Sequence, residues 1–247
     1  MMGTEPLVSA IIPVYNGERY LAEAIESAIG QTYRPVEVIV VDDGSTDGSA
    51  EVARRFGDAM CYHSQVHSGM AVALNHGVEL ALGDFLAFLD ADDVWMRDKL
   101  ALQVSCFAEN PSVDMVFGHA EEFDSPELMG RETRATHRTG RIIPGYSHGT
   151  MLIKRDIFLM VGYFATQWRV GQFLDWYARA SEIGLNSLLL PDVLLRRRLH
   201  LTNLGIIERD ARGDYARILK AALDRRRRGG SCGGPCCSEA RDTSNSD

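Results

Sequence analysis

Three acids stand within four residues at Asp90-Ala91-Asp92-Asp93, directly behind the apolar run Phe85-Leu86-Ala87-Phe88-Leu89. Carboxylates this close repel one another unless a cation sits among them. Mg2+ or Mn2+ takes one or two carboxylates and completes its shell with water and diphosphate oxygens. Such an ion offsets the charge that builds on a departing diphosphate. The competing reading is a solvated helix start, where acids are also favoured. The strand-like run immediately before the cluster argues for the cation.

Two further segments carry chemistry in the same position, behind an apolar run. Val36 to Val41 leads into Asp42-Asp43-Gly44-Ser45-Thr46-Asp47. A carboxylate there can accept a hydrogen bond from a base N–H or a ribose hydroxyl, and adjacent carboxylates are costly to bury unpaired. Asp, Gly, Ser and Thr are also ordinary turn residues, so turn chemistry is the alternative. Val8 to Ile12 leads into Pro13-Val14-Tyr15-Asn16. Pro13 lacks a ladder donor and is expected to end the strand. Tyr15 then stands where a flat base can stack on it, or where it packs the loop.

The elements that must position these residues follow from periodicity. The three apolar runs, with a weaker one near 59–63, read as strands buried on both faces of a parallel sheet. Helical spacing separates them. Leu21, Ala24, Ile25 and Ala28 form one face, with Asn16 and Glu18 suited to the helix start. Val52, Ala53 and Phe56 form a second, with Ser45 or Thr46 as cap. Met70, Leu74, Gly77, Val78, Leu80 and Ala81 form a third, opened by Ser68-Gly69. The order β-α-β-α-β-α-β implies right-handed crossovers, and ligands bind beyond the carboxyl ends of such strands. The second half is less regular. Leu100, Val104 and Phe107 fit a helix, and Met115 to Phe117 is an apolar run. Residues 124–148 read as a mobile loop, 149–153 as a strand and 173–183 as a helix. Leu188 to Leu190 and Val193 to Leu195 read as a final pair of strands, followed by a helix over 207–224.

Composition bounds the function. With 247 residues, 45% hydrophobic and 24% charged, the chain is an ordinary globular protein. A net charge of −8 argues against nucleic acid as partner. The N-terminus has no signal-peptide pattern and no apolar run reaches the ~20 residues of a membrane span, so a cytoplasmic chain with no integral membrane segment is expected. Cys61 and Cys106 read as isolated reduced thiols. From Arg225 onward a basic run gives way to Gly, Ser and Cys, which reads as a disordered tail over 225–247. Its Cys232, Cys236 and Cys237 lack a fourth ligand for a zinc site.

As an ordered set, Val8 to Asn16, Val40 to Asp47, Ser68-Gly69 with Asn75 and Gly77, Gly83-Asp84-Phe85 and Leu89 to Asp93 resemble the family 2 glycosyltransferases. The resemblance spans about residues 7 to 205. It implies an α/β chain of GT-A type, with a mostly parallel Rossmann-like central sheet flanked by helices. Residues 5–98 would be the nucleotide-sugar-binding half and 99–224 the acceptor-binding half. It also implies an inverting transferase that takes a nucleotide-diphospho-sugar, often a UDP-sugar, and delivers the sugar to a glycan, lipid-linked, peptide or small-molecule acceptor. Carried over by position, Pro13, Tyr15, Asn16, Asp42, Asp43, Gly69, Asn75, Asp90, Ala91, Asp92 and Arg198 would bind the nucleotide. Asp90, Asp92 and His200 would hold Mg2+ or Mn2+. Arg196 to His200 with Asn203 resembles a basic-His segment near the diphosphate, where an arginine can clamp phosphate. A solvated strand edge is the other reading of that run.

Inversion requires a base for the acceptor's proton. The family places an acidic pair a few residues before an arginine at a helix start, and this chain has Gln172 and Phe173 there, neither of which is a base. Asp175 is the nearby carboxylate and the assigned base. It also stands four residues before Arg179, where the two can simply pair. Trp176 belongs to a buried stripe or faces a sugar. His119 and Glu121 are reserve bases, and Leu74 stands where the family often has arginine. A catalytically impaired nucleotide-sugar-binding protein on the same fold is the second reading. A dinucleotide enzyme is disfavoured, because no G-x-G-x-x-G follows the first strand.

Overall fold

The computed structural model describes residues 5–128, 139–201, 203, 211 and 213–229. The first half is the expected alternation. Strands β1 (Val8–Val14), β2 (Val36–Asp42), β3 (Cys61–Ser64) and β4 (Phe85–Phe88) are joined through helices α1 (Leu21–Ile29), α2 (Ser49–Arg54) and α3 (Met70–Leu80). β1 pairs in parallel with β2 and β4, and β2 with β3. Every residue of β1 is buried. Val8, Ala10, Ile12 and Val14 join one apolar core and Ile11 the other, as side chains alternate across the sheet. Gly77 lets α3 lie directly on Ile11, since a Cβ there would collide with the isoleucine side chain.

The second half adds β5 (Val94–Trp95), α4 (Lys99–Glu109), β6 (Met115–Asp124), β7 (Ile142–Pro144), β8 (Leu152–Lys154), α5 (Arg155–Val161), α6 (Gln172–Glu182), β9 (Ser187–Leu199) and α7 (Gly213–Gly229). All strands share one sheet of order β3-β2-β1-β4-β8-β6-β9-β5, with β7 on β6. Here β4–β8, β6–β8, β6–β7 and β5–β9 are antiparallel, while β6–β9 is parallel. The sheet therefore runs without a break from the parallel half into a mixed one.

Several local expectations change. β1 continues through Pro13 instead of ending there. Ile11 O accepts from Leu89 on the β4 side and Val14 O from Asp43 on the β2 side, so the donor that Pro13 lacks falls on the β4 side, where pairing has stopped. The expected final pair of strands is one long strand, β9, whose register slips against β6 beside His119. Asn16 and Glu18 do not cap α1. Their side chains accept from Thr46 N–H at 2.8 Å and Gly48 N–H at 2.7 Å, tying the loop after β1 to the loop after β2. Neither Ser45 nor Thr46 caps α2; Asp47 receives the Ser49 N–H at 3.0 Å. Part of the expected loop at 124–148 is ordered as β7 and short turns of helix at Pro126–Leu128 and His148–Thr150. Residues 129–138 lie outside the described residues. α7 runs through Arg225–Arg228, inside the expected tail; residues 230–247, with the three tail cysteines, lie outside the described residues. Among the described residues, no helix is long and apolar enough to cross a membrane.

Lys99 is an exception to core composition. It is fully buried, with Nζ 2.8 Å from Gln103 Oε1 and 4.3 Å from the Trp95 ring centre, and no carboxylate pairs with it among the described residues. Burial pushes its ammonium well below the usual lysine range. The unfolded chain holds this proton up to about pH 10.4. Between the folded value and that limit the unfolded state binds more protons, so stability rises with pH through the window. Below the folded value the burial cost is fully present. Lys99→Met is therefore expected to raise the thermal midpoint relative to wild type most at acidic pH, with the gap closing toward pH ~10. Melting curves across this range check it, and a gap that does not vary with pH would contradict it.

Candidate functional site

The ends of β1, β4 and β9 converge on the acidic cluster. One carboxylate oxygen from each of Asp90, Asp92 and Asp93 lies within 4.8 Å of the others, a grouping able to hold a metal ion. Oxygen donors of this kind suit a hard divalent cation. Two histidines reach the cluster from distant segments. His148 Nε2 lies 2.8 Å from Asp90 Oδ1, and His200 Nε2 lies 2.8 Å from Asp92 Oδ2. Burial opposes ionisation of Asp90, but the His148 imidazole holds it below the usual carboxylate range. Burial likewise disfavours a charged His148, and the Asp90 carboxylate outweighs that and raises it. Asp93 goes the other way. Burial first, then the Asp92 and Asp90 charges, push it well above the usual range. The cluster thus carries more acid than its surroundings can keep ionised, and a bound cation would relieve that excess.

The basic-His segment takes a different part from the one its sequence suggests. Along β9 side chains alternate, so Arg196 and Arg198 point away from the face that Arg197 takes. Arg198 is buried. Its guanidinium lies between the Tyr20 and Phe123 rings, at 4.5 and 4.6 Å, bonds Glu23 Oε2 at 2.6 Å and holds the Asp92 carbonyl at 2.9 Å. Its own N–H bonds Asp93 Oδ1 at 2.8 Å. Arg198 therefore supports the acidic loop from beneath and offers no free guanidinium to a phosphate. Arg196 lies over Phe123. Arg197 is the arginine whose charge acts on Asp90 and Asp93, and its guanidinium is half exposed beside Glu122 at 3.4 Å. His200, expected as a metal ligand, stands at the cluster with Nε2 on the Asp92 carboxylate, and Asn203 approaches the same oxygen at 3.4 Å. An imidazole placed so orients a ligand carboxylate.

Behind β2 the two acids are used by the chain itself. Both are buried. Asp42 accepts from Ser45 N–H at 2.8 Å and Tyr62 OH at 2.7 Å. Asp43 gathers the loop after β3. Gln65 Nε2 and Ser68 N–H reach Oδ1, while Gly69 N–H and His67 Nδ1 reach Oδ2, all at 2.8–2.9 Å. A carboxylate has about four such acceptor positions, and all of them are occupied. Tyr15 is exposed, and its ring stacks on His67 with centroids 4.0 Å apart. Asn16 sits at φ 52° with its side chain on Thr46, and Gly69 at φ 97° turns the chain into α3. Asn75 is committed elsewhere, pairing with both backbone groups of Phe164 at 2.9 and 3.0 Å. Gly17 brings the loop after β1 against Ala91, whose Cβ would lie 3.6 Å from an added Cβ.

Helix α6 turns its start toward the cluster, with the Phe173 ring 6.1 Å from His148. Gln172 Nε2 rests on Met70 Sδ at 2.9 Å. Asp175 is 3% exposed, and its oxygens go to Arg179 Nε at 3.1 Å and Arg225 Nη1 at 3.5 Å. That geometry is the pairing alternative, not a base open to an acceptor. Trp176 is fully buried and cannot face a sugar. His119 and Glu121 are turned to neighbouring strands, toward Ile143 O at 3.3 Å and Arg196 at 4.0 Å. Sequence reasoning missed His67 and His148. The only cue was a polar ring in each of two Ser-Gly-containing loops, Val66-His67-Ser68-Gly69 and Tyr146-Ser147-His148-Gly149.

The family profile described as Glycosyl transferase family 2 matches residues 9–165. The chain is 31% identical over 209 residues to an uncharacterized glycosyltransferase of Rickettsia typhi, covering 79% of this chain and 64% of that protein. It thus spans less than two thirds of that curated relative. Among solved structures it is similar to Staphylococcus aureus TarS (residues 1–349) in complex with UDP, with a TM-score of 0.62 and 19% identity over 78% of this chain and 61% of that one. It is also similar to the mannosyltransferase PcManGT of Pyrobaculum calidifontis in complex with GDP-Man and Mn2+, with a TM-score of 0.61 and 24% identity over 81% and 59%. At these identities the likeness establishes the fold, which is GT-A.

Proposed function

We propose that this chain, which belongs to glycosyl transferase family 2, transfers a sugar from a nucleotide-diphospho-sugar to an acceptor hydroxyl with inversion at the anomeric carbon. A UDP-sugar is the first donor to consider, since a structural neighbour binds UDP. The observation that carries the reading is the acidic cluster, held where β1, β4 and β9 end and flanked by His148 and His200. Asp90 and Asp92 would hold Mg2+ or Mn2+, which when bound neutralises charge on the diphosphate. A neighbour on this fold binds Mn2+ with its nucleotide sugar. Arg197 supplies further positive charge to the diphosphate. Tyr15 stacks the base, taking the face that His67 now covers, and Asp43 offers the base N–H an oxygen that His67 gives up. Asp42, Asn16 and Gly69 hold the loops around it. Arg198 and His200 act as positioning residues for Asp92.

A second reading is favoured by one observation. Gln172 and Phe173 supply no base, and Asp175 is paired with Arg179 and Arg225. Asp175 can take the acceptor's proton only if the acceptor displaces an arginine. If it cannot, the chain binds nucleotide sugar without transferring it. Calorimetric titration of UDP with and without Mn2+, followed by assay of UDP-sugar turnover, separates the two. Metal-dependent binding with turnover is expected. Metal-dependent binding with neither transfer nor donor hydrolysis selects the second reading, and absence of nucleotide binding removes both.

A further inference from the structure

Helix α7 carries two apolar rows, and the described chain covers only one. Ile218 and Ala222 are buried against the rest of the protein, where Ile218 and Tyr215 close over Gly171 at the start of α6. The second row is Tyr215, Leu219 and Leu223, at positions i, i+4 and i+8, and these are 43, 56 and 54% exposed. Residues at this spacing share one helix face. Arg226 extends the row, being three residues beyond Leu223. The helix holds six basic residues against two acidic ones, in a chain of net charge −8. Arg217 is paired with Asp214, and Arg225 with Glu182 and Asp175. Lys220, Arg226, Arg227 and Arg228 form no ion pair among the described residues. The four consecutive arginines alone give no anchor; the structure supplies one beside them.

We propose that this face of α7 docks the protein on an anionic lipid surface, with Tyr215, Leu219 and Leu223 entering the headgroup boundary and Arg226 to Arg228 meeting lipid phosphates. An exposed aromatic-aliphatic row bordered by cations is the pattern of a helix that lies in the membrane interface. A nucleic acid would engage the arginines but leave both leucines in water. The remainder of the chain is acidic, so an anionic surface repels it and attracts this helix, which fixes the orientation. The inference is independent of the donor-site reading.

Flotation of the full chain with vesicles of phosphatidylcholine, alone or mixed with phosphatidylglycerol, tests it. Binding is expected with the mixed vesicles only. Arg226→Gln/Arg227→Gln/Arg228→Gln should reduce it on the order of a hundredfold, the product of about fivefold per basic residue. Leu219→Ser/Leu223→Ser should reduce it about tenfold with unchanged circular dichroism, because both side chains are exposed in the free protein. UDP binding should be the same in all three proteins. Equal binding to neutral vesicles, or flotation of the leucine variant like wild type, overturns the proposal. So does a wild-type dimer in sedimentation equilibrium that the leucine changes dissociate, which would give the row to a second copy.

Discussion

Asp92→Asn is expected to abolish Mn2+-dependent binding of UDP, a loss of more than about a hundredfold in apparent affinity at fixed metal. The substitution keeps the shape of the side chain and removes its charge. It acts on a residue fixed from several sides, since His200 meets the carboxylate and Arg198 the carbonyl. Metal-independent UDP affinity should change little, because the base platform at Tyr15 stands on other loops. Titration of UDP into wild type and variant, with and without Mn2+, measures both quantities. If binding is insensitive both to the metal and to the substitution, the acidic cluster is not a cation site, and the donor assignment fails with it. The same experiment on Asp93→Asn has a smaller expected effect. Asp93 is the most buried of the three acids, and its Oδ1 already accepts the Arg198 N–H at 2.8 Å, so less of it is open to a cation.

The second large effect is on stability. Trp176→Ala should cost about 3–5 kcal/mol, the usual range for removing a large buried aromatic. The indole is fully buried, stacked on Phe158 with centroids 5.1 Å apart, and donates to Gly162 O at 2.8 Å. Phe164 and Phe173 pack on the same ring. Truncation therefore leaves a cavity and an unpaired carbonyl in the layer joining α5 to α6. Urea denaturation followed by tryptophan-independent circular dichroism gives the value. A loss under about 1 kcal/mol would mean that the layer collapses to fill the space, and would contradict this account of the packing. Residual UDP binding by the folded fraction should persist, because Trp176 lies within the core and not in the cleft.

What the sequence determined by itself is the parallel half of the fold and the loops that carry the site. Near-continuous apolar runs at 8–12, 36–41 and 85–89, with helix-period residues between them, are local signals. A sheet buried on both faces requires such runs, and the ends of its strands then mark the cleft. Periodicity also identified α3, α4 and α6. The tertiary structure decided what each polar side chain in those loops does. Arg198 turns inward to hold the Asp92 carbonyl while Arg197 takes the other face beside Glu122, because the phase of alternation along β9 is set by pairing with β6, more than seventy residues earlier. Asp43 follows β2 as expected, yet its carboxylate is filled by four donors from the loop after β3, and Asp42 is held by Ser45 and by Tyr62 of β3. Asp175 lies on the expected helix, but Arg225 from α7 helps to close it off. His148 comes to Asp90 from 58 residues away and His200 to Asp92 from 108. Local spacing fixes which residues lie on one strand or helix face, whereas contacts between distant segments fix which of those faces meets the site.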